Sequence, residues 1–129
     1  MNFDGIAKNI FIKTKTRFDR SVVLKDETQY VFSYKIRILN ESDRTVQLIS
    51  RKWIILNACN DRKTVQGQGV VGKQPTLEPG QSFSYSSWCP LNTELGKMMG
   101  YYTFKDLGSA QMFNVQVPDF TFQADFVNS

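Results

Sequence analysis

The chain has 129 residues, 16 Lys plus Arg against 12 Asp plus Glu for a net charge of +4, and 41% apolar residues. That is one domain, long enough to bury about two-thirds of its unfolded surface, and it contains no apolar run near the ~20 residues of a spanning helix. There is no histidine, which removes histidine-based nucleophile relays, the H-E-x-x-H metal helix and the side chain best suited to proton transfer at neutral pH.

A single domain is expected over 1–129, with a core from about 9 to 126 and loose termini at 1–8 and 127–129. Met1-Asn2-Phe3-Asp4 lacks the charged-then-apolar layout of a secretory signal, so a cytoplasmic protein is expected. Cys59 and Cys89 form no C-x-x-C pair and are too few for a thiolate zinc site, so two reduced cysteines without chemistry are expected.

In chain order, Met1 to Lys8 reads as an arm. Asn9 to Phe18 alternates Ile10, Ile12, Thr14, Thr16 and Phe18 against Phe11, Lys13, Lys15 and Arg17, a strand with one wet face. Asp19 to Thr28 reads as a connection. Tyr30 to Asn40 is a stronger strand, with Tyr30, Phe32, Tyr34, Ile36 and Ile38 in phase, and Asn40-Glu41-Ser42-Asp43 carries turn chemistry. Val46 to Asn57 changes parity between Leu48 and Trp53, which predicts a β-bulge near Ser50-Arg51-Lys52.

Ala58 to Lys63 is a predicted loop and Thr64 to Val71 a short strand broken by glycines. Glu78-Pro79-Gly80-Gln81 is a turn, and Ser82 to Trp88 a strand with Phe83 and Tyr85 alternating against serines. Asn92 to Leu95 can support one helical turn. Met98 to Lys105 and Gln111 to Val117 form a hairpin across Asp106-Leu107-Gly108-Ser109; Pro118-Asp119 closes it, and Phe120, Phe122, Ala124 and Phe126 form a last edge strand. The fold class is all-β: an antiparallel β-sandwich of about seven to eight strands, since two one-sided sheets bury their apolar faces together.

Gly67, Gly69 and Gly72 spell G-x-G-x-x-G, but no helix follows, so a dinucleotide-binding reading fails. The run GQGVVGKQPTLEPGQSFSYSSWCPL, with VQLISRKWII ahead and GKMMGYYTF behind, resembles the ApaG family over roughly Gln29 to Phe122. The resemblance implies an immunoglobulin-like sandwich of the fibronectin type III kind, a link to cobalt and magnesium tolerance, and pyrophosphate held at the glycines. It also implies a histidine where this chain has Lys52 and a small residue where it has Trp88.

Consecutive backbone N–H groups in a glycine-rich turn can cradle an anion, so Gly67, Gly69, Gly72, Lys73 and Arg51 are candidate phosphate ligands. The same glycines also suit bulges and close backbone approaches. Lys13, Lys15 and Arg17 form a basic stripe in which no aromatic interleaves, so nucleic acid is not expected. No D-x-D cluster suits a hard cation, and no metal or cofactor is expected. The function expected is a non-catalytic interaction module that contacts a protein or a small phosphorylated ligand, away from membranes, with a homodimer left open; the alternative is an enzyme or nucleotide-handling protein using the glycine segment.

Overall fold

Phe32, Tyr34, Ile36 and Ile38 are buried while Lys35 and Arg37 between them are exposed. Such period-2 alternation places one face of a strand on the core and one in water, and most of the chain repeats it. The computed structural model describes residues 3–124. A short helix α1 (Phe3–Ala7) is followed by β1 (Ile10–Leu24), β2 (Glu27–Asn40), β3 (Val46–Asn57), β4 (Arg62–Gln68), β5 (Thr76–Leu77), β6 (Ser82–Leu91), β7 (Leu95–Asp106) and β8 (Met112–Gln123). One antiparallel sheet has the order β1-β2-β6; the other has β4-β3-β7-β8, with β5 also pairing β3. The two layers form a β-sandwich.

Between the layers lies an aromatic core. Trp53 meets Tyr102 and Phe120 edge-on at 5.6 and 5.9 Å, and Phe32 packs on Phe122 at 5.0 Å; tilted and T-shaped pairs suit the ring quadrupoles. The buried hydroxyls of Tyr85 on β6 and Tyr102 on β7 hydrogen-bond to each other, tying one sheet to the other. At one corner the fully buried Asn40 donates to the carbonyls of Arg44 and Leu77 and accepts from the N–H and hydroxyl of Ser42. Asp106, also buried, takes a two-pronged contact from the Arg44 guanidinium at 3.2 and 3.0 Å.

The expected bulge in β3 falls between Leu48 and Ser50, slightly earlier than predicted. It turns Arg51, Trp53 and Ile55 to the side that Val46 and Leu48 occupy before it.

Four expectations need correction. Residues 19–28 are not a connection: β1 runs to Leu24 and β2 starts at Glu27, joined by Lys25-Asp26 at φ 52° and 64°, the left-handed pair of a two-residue hairpin. This end is a two-stranded ribbon, because β6 joins β2 only from Tyr30; with Val23 and Leu24 exposed there, burial writes no periodicity into the sequence. Within the stretch expected to be a loose arm, α1 carries Ile6 into the core.

Asn92 to Leu95 forms no helical turn. Asn92 accepts from the Asn57 side chain and Thr93 from the Ala58 N–H, so these side chains tie down a neighbouring loop instead of capping a helix. Finally, β8 runs through Pro118-Asp119, and its pairing with β7 shifts between Met98 and Gly100. An edge strand with a bulge tolerates the missing proline N–H. Phe126 lies outside the described residues.

Candidate functional site

β4 and β5 lie along the same edge of β3: Gln68 pairs Ser50 and Thr76 pairs Gln47, so residues 69–75 loop out opposite residues 48–49. The excursion is a tight hairpin. Val70 and Lys73 exchange both backbone hydrogen bonds, at 2.8 and 2.9 Å, across Val71 and Gly72 at φ 43° and 79°, the signature of a type I′ turn.

Each glycine of the motif therefore has its own geometric reason. Gly67 faces Arg51 across the β3–β4 pair, and a Cβ there would lie 2.8 Å from the guanidinium. At Gly69, φ is +65° and a Cβ would strike the Lys73 carbonyl at 2.3 Å. Gly72 supplies the second left-handed position of the turn, with open space where a side chain would stand. The N–H groups of Gly69, Val70 and Lys73 are bonded to the carbonyls of Ile49, Lys73 and Val70. Arg51 is joined to this segment through carbonyls, donating from Nη1 to Gln68 at 3.2 Å and Gly69 at 2.8 Å. Lys73 stands exposed at the hairpin's end.

The other side of Arg51 opens on a cleft of about 450 Å³ between the edge strands β6 and β4, where the sandwich is open. Tyr34, Trp53, Ile55 and Cys89 form its floor, Arg62 and Lys63 stand on the β4 wall, and Trp88 on the β6 rim. The acids lining it are Glu27 and Asp61; the Asp61 carboxylate accepts from Asn57 at 3.1 Å. Lys63 was not in the sequence-derived set. Its signal was parity: Ile55 pairs Lys63 as Arg51 pairs Gly67, so the residues face one way.

The thiol and the phenol that line this cleft are not activated. Burial pushes the Cys89 thiol up to about 11, with Lys63 only partly opposing it, whereas a reactive thiolate needs the reverse. Burial likewise raises Tyr34, against a hydrogen bond with Ser87, and raises Tyr85 and Tyr102. Cys59 is exposed and Cys89 buried, neither in a disulfide. Among the described residues, no group of three His, Cys, Asp or Glu side chains could hold a metal ion, and no helix is long and apolar enough to cross a membrane.

The basic stripe is elsewhere. Lys13, Lys15 and Arg17 point outward from β1, in register with Arg37, Lys35 and Ser33 of β2, on the outer face of the three-stranded sheet. The structure thus joins Arg51 to the glycines but separates both from the stripe.

A sequence-family model described as the ApaG domain matches residues 21–106. The chain is 48% identical over 96 residues to Protein ApaG of Brucella abortus (strain S19), covering 74% of this chain and 73% of that one. It is 40% identical over 119 residues to Protein ApaG of Bdellovibrio bacteriovorus, covering 92% and 87%. An X-ray structure from the Northeast Structural Genomics Consortium superposes with a TM-score of 0.89 at 32% identity, covering 93% of this chain and 90% of the other. A crystal structure of a Bordetella pertussis protein described as ApaA gives 0.77 at 35% identity, covering 90% and 95%.

Proposed function

The chain belongs to the ApaG domain family, and from that premise we propose that it is a non-catalytic recognition module whose edge cleft takes a phosphorylated group, free or carried by a partner protein. The observation that carries this reading is the convergence of Arg51, Arg62 and Lys63 on a cleft with an aromatic floor. Charge-assisted contacts to phosphate oxygens are the strong ones, and a guanidinium offers them in pairs. Because the backbone amides of Gly69, Val70 and Lys73 already have carbonyl partners, the segment acts indirectly: Gly67 leaves space for Arg51, and the Gly69 carbonyl fixes its Nη1. The thiol and phenols in and behind the floor stay protonated, which supports binding over bond-breaking.

Phosphorus NMR and calorimetry with pyrophosphate and ADP test the reading. The unmodified protein should shift the resonances, and R62S/K63S, altering two exposed side chains, should bind about tenfold more weakly, the scale of one lost charged hydrogen bond. Absence of heat and of any shift at millimolar ligand defeats the proposal. Orthophosphate release that persists through purification and is lost in R62S/K63S would replace it with an enzyme.

A further inference from the structure

We propose that the outer face of the three-stranded sheet is a docking surface for a single-stranded polynucleotide, with Lys13, Lys15, Lys35 and Arg37 against its phosphates and Trp88 stacked on a base. Register sets the residues out in rows. Lys13, Arg37 and Ser84 form one row across β1, β2 and β6; Lys15, Lys35 and Ser86 form the next; Arg17, Ser33 and Trp88 form the third. Successive rows are ~6.6–6.8 Å apart and neighbouring strands ~4.8 Å, so four cations sit within a single small patch.

That arrangement works against the fold. Lys13 lies opposite Arg37 and Lys15 opposite Lys35, and like charges directly across a strand pair repel. Guarding an edge against pairing accounts for Lys13 and Lys15 on the edge strand β1 but not for Lys35 and Arg37, since β2 is the central strand of its sheet. Nor do neighbouring acids compensate. Asp19 pairs with Arg17 at 4.0 Å and Arg20 at 3.2 Å, and Glu41 borders Lys13 and Arg37 at the far end. Among the described residues, no carboxylate lies within ion-pair distance of Lys13, Lys15, Lys35 or Arg37. A cluster of facing like charges with no carboxylate paired to it among the described residues fits a polyanion from outside.

The aromatic decides which polyanion. Trp88 is 63% exposed, whereas the other tryptophan, Trp53, is buried at 2%. The stripe alone shows no interleaved aromatic; β6 brings one in from a distant stretch of sequence by pairing with β2. An open sheet that shows an indole beside cations, with the hydroxyls of Ser84 and Ser86 in the same rows, is a stacking platform for unpaired bases. A duplex keeps its bases inside the stack and cannot use it, and an acidic polysaccharide or a charged membrane has no base to place there.

The test is fluorescence anisotropy of labelled decamers of uridylate and thymidylate, alongside tryptophan emission, with heparin and phosphatidylserine vesicles as rivals. Binding should quench Trp88 and weaken with salt at a logarithmic slope of roughly −3, about −0.7 per phosphate for four contacts. K35E/R37E sets opposite charges across both pairs, so it should melt no lower than the parent yet bind at least about tenfold more weakly. W88A should lose roughly fivefold or more for oligonucleotides, the range of one stacked base, and nothing for heparin. The proposal falls if decamers give no anisotropy change at low salt, if W88A binds them like the parent, or if K35E/R37E keeps full affinity. It falls equally if heparin or vesicles are preferred over oligonucleotides.

Discussion

Val71 is a β-branched residue, 55% exposed, held at φ 43°, a conformation that costs such residues of order 1–3 kcal/mol. Nothing in its burial offsets that cost. Asn-Gly is the pair a type I′ turn prefers, so V71N should stabilise the protein by about 1 kcal/mol and raise the melting temperature by about 3–5 °C. Calorimetry checks it; an unchanged or lower melting temperature would show that the hairpin does not demand a left-handed residue there. The glycine spacing was legible in the sequence, but its meaning was not. A G-x-G-x-x-G string records only where side chains are absent, and which atom occupies the vacated space, the Arg51 guanidinium at Gly67 or the Lys73 carbonyl at Gly69, depends on strand register.

Strands with one dry and one wet face announced themselves: β2, β7 and the first half of β8 alternate as the core requires, and the β3 bulge shows as a change of parity. Elements held by something other than burial did not. The ribbon of β1 and β2 beyond Tyr30 has water on both faces, β5 is only Thr76–Leu77, and α1 is too short to write a helical period. The Arg62-Lys63 wall depends on the register of β4 on β3, and the place of Trp88 on a basic face arises from pairing between β2 and β6, segments far apart in sequence.

At the same scale, the two sheets are joined by the Tyr85–Tyr102 hydroxyl pair in the core. Removing one hydroxyl strands the other without water, a cost of about 1–3 kcal/mol, whereas removing both leaves two well-shaped apolar rings. Y85F and Y102F should each lower the urea midpoint, and Y85F/Y102F should recover most of the loss. A double variant as unstable as the sum of the singles would mean that the hydroxyls act independently and the bridge contributes nothing.

For the whole molecule, the lack of histidine and the placement of its shifted groups dictate how stability follows pH. Burial alone would raise Asp106, but hydrogen bonds from Ser109, Arg44 and the Gly108 N–H outweigh it and hold the carboxyl below its usual range. Below about pH 4, the ordinary carboxylate value, the unfolded chain therefore binds a proton that the native state refuses. Asp106's contribution is present above that pH and disappears as pH falls through its lower native value. On the alkaline side the sign reverses. Burial raises Cys89, Tyr85 and Tyr102, so from about pH 8.5 for a free thiol and about 10 for a phenol the unfolded chain releases protons that the native state retains. Stability then declines as pH rises. Urea midpoints should thus be level between about pH 5.5 and 7.5, where no unperturbed side chain of this composition titrates, and fall on both flanks. D106N should be less stable at neutral pH but show a shallower acid flank, and C89S should show a shallower alkaline one. A transition inside the level stretch, or an acid flank unchanged in D106N, would mean that a group other than these carries the linkage.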